Sequence, residues 1–308
     1  MTTWDGTGLP PAARARVDRA GASGVRSSLL GVPGHAGVES CGFTPVGEVM
    51  GCIVEYIGFQ GYGGCGWYPG TAGSAWGIGT TAPPTVTSGS GSRWAGFAPY
   101  VDALYHGWDT AVDRMLTEAR ALGADGVVAV SLTEEHLGAG NREFLALGTA
   151  VRSTGSTHTT RPFTTTLAGQ DMAKLVHSGW MPAAIVVGIS VGIRHDDYRT
   201  LVAQRAFGAN VEVEGYTELV SAVRADARRQ LARRVAHYGA EGAILDSPVA
   251  LSIHELDVGE GHTDHVAESS ALASAVVRFH RAETLPPVPI MVLPLGGAGV
   301  TNRRKTAR

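Results

Sequence analysis

Lysine is almost missing from this chain. Of 25 basic residues only Lys174 and Lys305 are lysines, and no function is drawn from that bias. Cysteine is also scarce. Cys41, Cys52 and Cys65 are odd in number and have no Cys-x-x-Cys spacing. This argues against a disulfide framework and fits a reducing cytoplasm. Long apolar runs are lacking as well. The longest, at 183–193 and 288–300, fall short of the roughly 20 residues a membrane-spanning helix needs. The first residues show neither a basic nor an apolar leader segment, so no secretory signal is expected. With a net charge of −3 there is no global attraction to nucleic acid or an anionic membrane. No His-Glu-x-x-His or Walker loop occurs. The expectation is therefore no enzyme. The alternative is a hydrolase or other enzyme whose site assembles from distant residues at an internal boundary.

What the chain does contain is an internal repeat. Its 308 residues suffice for two domains, and 44% hydrophobic with 17% charged residues is a globular composition. Gly42-Phe-Thr-Pro-Val-Gly-Glu-Val-Met-Gly51 aligns with Gly179-Trp-Met-Pro-Ala-Ala-Ile-Val-Val-Gly188. Gly123-Ala-Asp-Gly-Val-Val aligns with Gly239-Ala-Glu-Gly-Ala-Ile, and Glu143–Val151 with Glu268–Val276. Three matches in one order point to duplication. Each half reads as strand, helix, strand, strand. The expected fold is α+β, with two tandem β-α-β-β modules, each a three-stranded antiparallel sheet packed on one helix. The expected divisions are an N-terminal extension at 1–34, partly disordered, a first domain at 35–153 with a glycine- and aromatic-rich insert at 58–98, a linker at 154–162, a second domain at 163–281 and a tail at 282–308.

Periodicity supplies the elements. Ile185, Val187, Ile189, Val191 and Ile193 alternate as one apolar strand face. The first-half counterpart carries Met50, Cys52, Val54 and Tyr56, which makes Cys52 a buried core thiol. Helices are expected at 100–122 and 217–238, closed by Gly123 and Gly239 and, in the second, opened by Thr217 as N-cap. Paired strands follow at 126–133 and 143–152 around a Gly138-Ala-Gly140 turn, then at 249–255 and 265–279. In the former strand of the second pair, Val249, Leu251 and Ile253 are expected to point inward and Ser252 and His254 outward.

The strand entry at Gly42–Gly51, the run Glu118-Ala-Arg-Ala-Leu-Gly-Ala-Asp-Gly-Val-Val-Ala-Val130, the strand Glu143-Phe-Leu-Ala-Leu-Gly-Thr-Ala-Val151 and the helix head Tyr216-Thr-Glu-Leu-Val220 together resemble the YbjQ-like family, whose members are labelled heavy-metal-binding. The second half departs from the pattern at Ala273-Ser-Ala-Val276 and at Asp246-Ser-Pro248. The resemblance implies self-assembly into rings, five-fold in single-domain relatives, and a heavy metal or small ligand held at module interfaces.

Candidate site residues are few. His254, Glu260, His262, Asp264 and His265 gather imidazoles and carboxylates around one turn, a donor set for a divalent metal ion, although the spacing matches no tight zinc pattern. A polar hairpin turn is the plainer reading. His195 and Asp196 follow the second-half first strand. Glu143 and Glu268 occupy equivalent places in the two repeats. Arg224, Arg228, Arg229, Arg233 and Arg234 make the second helix basic, as a solvated or partner-pairing face rather than a phosphate-binding one. The expected partner is the chain itself, with neither nucleic acid nor membrane.

Overall fold

The computed structural model describes residues 4, 8–23, 27–57, 85–88, 98–156, 158–195, 200, 202–203, 210–246, 250–257 and 263–279. Most of the 58–98 insert, with Cys65 and its tryptophans, lies outside them. The first sheet holds β1 (Phe43–Tyr56), β3 (Gly126–Gly138), β4 (Asn141–Ser153) and β5 (Phe163–Thr164) in the order β1-β4-β3-β5. It is antiparallel except for β5, which runs parallel to β3. The second sheet holds β2 (Val86–Thr87), β6 (Trp180–His195), β7 (Gly242–Leu245), β8 (Ala250–Asp257) and β9 (Thr263–Arg278). β9 pairs with β6 on one side and with both β7 and β8 on the other, and β2 pairs with β6, all antiparallel. The helices are α1 (Pro11–Ser23), α2 (Val32–Ser40), α3 (Ala98–Ala121), α4 (Gly169–His177) and α5 (Glu214–His237).

The fold is α+β, but the sheets are not two separate three-stranded ones. β5 follows the expected linker and still pairs with the first sheet. β2 belongs to the first-half insert and still pairs with the second. Two residues suffice for each exchange, and so short a strand leaves no period in the sequence. The strand expected at 249–255 is β8, and ahead of it the short β7, not expected, also pairs with β9. On β8 Ile253, expected to point inward, is 42% exposed. Two helices, α1 and α2, lie wholly or partly within the N-terminal extension.

Each long helix lies on its sheet through a glycine. A side chain at Gly51 would run into the Ala111 carbonyl and Met115 N–H of α3. One at Gly188 would run into the Ala227 carbonyl and Leu231 N–H of α5. Backbone therefore meets backbone, as only glycine permits. Both helices end on a left-handed glycine, Gly123 at φ +66° and Gly239 at φ +64°. Thr217 does not cap α5: Val213 stands at the N-cap, and the Thr217 hydroxyl donates to Glu212 Oε1 at 2.8 Å.

The main core joins Val49, Leu104, Met115, Val127 and Phe144 of the first half to Ile185, Val187, Ile189, Val191 and Ile193 of β6. The apolar face of β6 is thus buried as expected. Its β1 counterpart is not. Val49 and Gly51 point to α3, which leaves Met50 and Cys52 half-buried and Val54 and Tyr56 54% and 66% exposed. Cys52 is therefore not a core thiol.

The outer edge of β6 is closed by hydroxyls. Ile185 N–H donates to Thr164 Oγ1 at 2.8 Å, Ile189 N–H to Tyr105 Oη at 2.9 Å and Val191 N–H to Ser88 Oγ at 3.0 Å. These satisfy donors that an open edge would offer to another strand. On β1 the Met50 N–H donates to the buried Glu118 carboxylate at 2.9 Å. Burial pushes the Glu118 pKa up, against the Met50 N–H and the Arg16 charge. Among the described residues no helix is long and apolar enough to cross a membrane.

Candidate functional site: a polar seam between the sheets

The densest polar cluster spans both halves. Arg142 leaves β4 with its side chain 13% exposed. Its Nη1 donates to Glu134 Oε1 on β3 at 2.7 Å and reaches Glu268 Oε1 on β9 at 3.4 Å. Its Nη2 donates to the Tyr100 hydroxyl on α3. That hydroxyl in turn donates to Glu268 Oε2 at 2.6 Å. The guanidinium carbon lies 5.2 Å from the Tyr100 ring centre, a cation–π distance. One arginine thus ties carboxylates from two sheets together through a phenol. Burial, and then the Glu268 charge, push the Tyr100 pKa up, so the phenol stays protonated and remains a donor.

His254 stands beside this seam. It pairs with Val266 across the β8–β9 ladder, one step from the Ser252–Glu268 pair, on the face that carries Glu268. Desolvation lowers its pKa; the Glu268 charge opposes this and the Arg142 charge adds to it. His265 belongs to the other face. It is 3% exposed, stacks at 4.3 Å on Tyr216 of α5 and meets the Tyr216 hydroxyl at 2.7 Å through Nε2. The sheet therefore separates His254 from His265. Asp264 is fully buried and pairs with Leu256 and His195 in the ladders of β9. Glu260, His262 and Asp196 lie outside the described residues. Among those described, no three His, Cys, Asp or Glu side chains come together as a metal seat.

The paired glutamates part company. Glu268 is drawn into the seam. Glu143 faces away from α3, flanked by Val54 on β1 and Glu135 on β3. The basic helix is partly spent on local pairs: Arg229 meets Asp226 at 3.1 Å, and Arg234 pairs with Asp109 of α3 and lies 4.6 Å from the Tyr105 ring. Near that pair a cleft of about 670 Å³ opens between α3, the start of β6 and the end of α5. Trp108, Val112 and Val187 supply apolar walls, and Arg120, Arg161 and His237 stand on its lining.

Sequence reasoning missed Tyr100, Arg142 and Asp125 as site residues. Asp125 anchors the expected linker: it accepts from the N–H groups of Ser153 at 2.8 Å and Thr159 at 2.9 Å and meets His158 Nδ1 at 2.9 Å. Burial pushes its pKa up, but the hydrogen bonds from His158, Ser153 and Thr159 outweigh that and hold it below the ordinary value. A charged residue inside the otherwise apolar run Gly123-Ala-Asp-Gly-Val-Val was the available signal for Asp125.

An α+β chain of this kind, with helix, strand pair and seam in place, has known relatives. The profile of the family YbjQ_1, described as "Putative heavy-metal-binding", matches residues 87–154, which take in α3, β3 and β4. Over 53 residues, 17% of this chain, it is 47% identical to UPF0145 proteins of Halorubrum lacusprofundi and Archaeoglobus fulgidus. Those matches cover 51% and 49% of the two proteins, about half of each. No solved structure matches. Over 295 residues the chain is 30% identical to the encapsulin nanocompartment protein Rv1762c of Mycobacterium tuberculosis, which covers 93% of this chain and 97% of that protein. The chain belongs to the family of that protein.

Proposed function

We propose that this chain is a non-catalytic, self-assembling nanocompartment protein of the cytoplasm, built from two copies of one β-α-β-β unit. One observation carries the assembly: Val54 and Tyr56 on β1 stand open, whereas the matching face of β6 is fully covered. A sheet face with exposed apolar side chains calls for a partner. The near full-length relative is named for a nanocompartment, which supports self as that partner. The duplication is supported by the parallel seating of Gly51 on α3 and Gly188 on α5. The arrangement we infer is a closed ring or larger shell. Light scattering on the eluting full chain at micromolar concentration tests it; a single monomeric mass would overturn it.

The seam supports the non-catalytic reading over a hydrolase at the repeat interface. An arginine and a phenol lock Glu134 and Glu268 in mutual hydrogen bonds, which holds them in place rather than freeing a base. Between the modules the cleft beside α3 is the seat for a small ligand.

A divalent metal is the second reading, drawn from the family description. The described residues do not fit it by themselves, because His254 and His265 face opposite ways. It rests on Glu260 and His262 joining one of them. Elemental analysis of the purified chain, then of His262→Ala and His265→Ala, decides it. Metal content unchanged by both substitutions would remove this site.

A further inference from the structure

We propose that the cleft beside α3 takes an organic oxyanion, a carboxylate or phosphate head on an elongated apolar body. This names the chemistry of the small ligand that the proposed function seats there, and it rests on that reading.

The floor suits an apolar body. Val112 and Leu116 of α3 are half-buried on the lining, and Ile185 and Val187 of β6 continue it into the core that joins the two halves. Trp108 closes one end. Its ring is held edge-on against the buried Phe144 at 5.0 Å, so this wall is fixed before any ligand arrives. From Leu116 back to Trp108 the helix advances about 12 Å along its axis. The volume of about 670 Å³ lies within the range of roughly 300–1,000 Å³ that suits a small molecule.

The other end suits an anionic head. Arg120, in the last turn of α3, and Arg161, just ahead of β5, both stand on the lining. Both are exposed, and among the described residues no acid pairs with either guanidinium. Arg120 also lines the adjoining hollow with Thr159 and Thr160, which places it beside the segment that carries Arg161. The nearby acids are engaged or distant. Asp109 pairs with Arg234 at the Trp108 end. Asp125 is engaged by Ser153, Thr159 and His158. Asp113 lies about 10 Å back along the helix axis from Arg120. The carbonyls that end α3 would repel an anion, but Arg152 occupies them: its Nε donates to the Gly123 carbonyl at 2.7 Å and its Nη2 to that of Leu122. An arginine fork holds a carboxylate or phosphate through two parallel hydrogen bonds. Two unspent forks at one end of an apolar floor select a molecule charged at its head and apolar along its length.

Isothermal calorimetry on the full chain tests this, with decanoate and decyl phosphate as the two heads and decanol as the uncharged control. At least one anion should bind about tenfold tighter than decanol. Arg120→Glu with Arg161→Glu should close that gap to within about twofold. Both side chains are exposed, so the reversed chain keeps its fold. Leu116→Trp, which fills the floor, should weaken the binding of all three. Light scattering should give every variant the mass of the wild type. Equal binding of the three probes, lost in Leu116→Trp, overturns the charged ligand and leaves the small-ligand cleft standing. No binding of any probe overturns both. An anion preference that survives charge reversal or the filled floor puts the site elsewhere and overturns this one. A change of mass in the charge-reversed chain would make the two arginines a contact with a second copy and overturn the proposal as well.

Discussion

The two sheets present the same strand face to different surroundings. On β6 the side chains of Ile189, Val191 and Ile193 are packed beneath α3, and the strand's outer edge is capped. On β1 the corresponding Val54 and Tyr56 stand in the open beside Glu143. The inner faces are alike: in both, a glycine lets a helix backbone rest on the strand. The difference shows that burial of a strand face here is decided by a helix from the other half of the chain. The strand's own helix covers the other side.

Four experiments break or sharpen this comparison. Arg142→Ala should have the largest effect, about 3–5 kcal/mol lost from unfolding free energy, because it strands Glu134 and Glu268 in a mostly buried seam. Chemical denaturation reads it directly, and a loss below 1 kcal/mol would mean that the seam does not hold the halves together. Gly51→Ala and Gly188→Ala should each cost about 3 kcal/mol by forcing a methyl into helix backbone. Equal losses would support equivalent inner faces; a tolerated change in one half would break the parallel.

The outer faces should respond unequally. Val191→Thr buries a hydroxyl and should cost about 2 kcal/mol, whereas Val54→Thr should stay within about 0.5 kcal/mol in the dissociated chain. Similar melting shifts for both would remove the contrast on which the assembly reading stands. The smallest effect is pH-dependent. Asp125 has its folded pKa held below the ordinary carboxylate value of about 3.9. Its contribution is complete above that ordinary value and is lost as pH falls through the lower folded one. Asp125→Asn should therefore cost about 1 kcal/mol near neutrality and almost nothing once the wild-type carboxyl is protonated. Urea midpoints of both chains at neutral and strongly acidic pH test this, and a constant gap would refute the linkage.

Much of the secondary structure was readable because the signals were local. The Ile185–Ile193 alternation placed β6, and Gly123 and Gly239 placed the helix ends. The β1 face was misread for a physical reason. Its helix-facing positions include Gly47 and Gly51, chosen for lack of a side chain and so silent in any hydropathy pattern, which shifted attention to Met50, Cys52 and Val54. The β2 and β5 exchanges were unreadable because two residues carry no period. Glu268 stood out through its repeat partner. Arg142 did not, since nothing along the chain shows that β4 and β9 will share a guanidinium. The His254–His265 grouping failed in the described part of the turn for a related reason: nearness in sequence did not decide which side of the sheet each imidazole would take.

The hydroxyl caps on β6 also bear on the order of events during synthesis. Ser88, Tyr105 and Thr164 all precede Trp180, where β6 begins. Chains grow from the N-terminus, and earlier units generally fold first. By the time β6 leaves the ribosome, the groups that will block its edge have already been made. The strand with the longest apolar face therefore emerges beside its own chaperoning surface, and the interval in which a neighbouring nascent chain could pair with it is short.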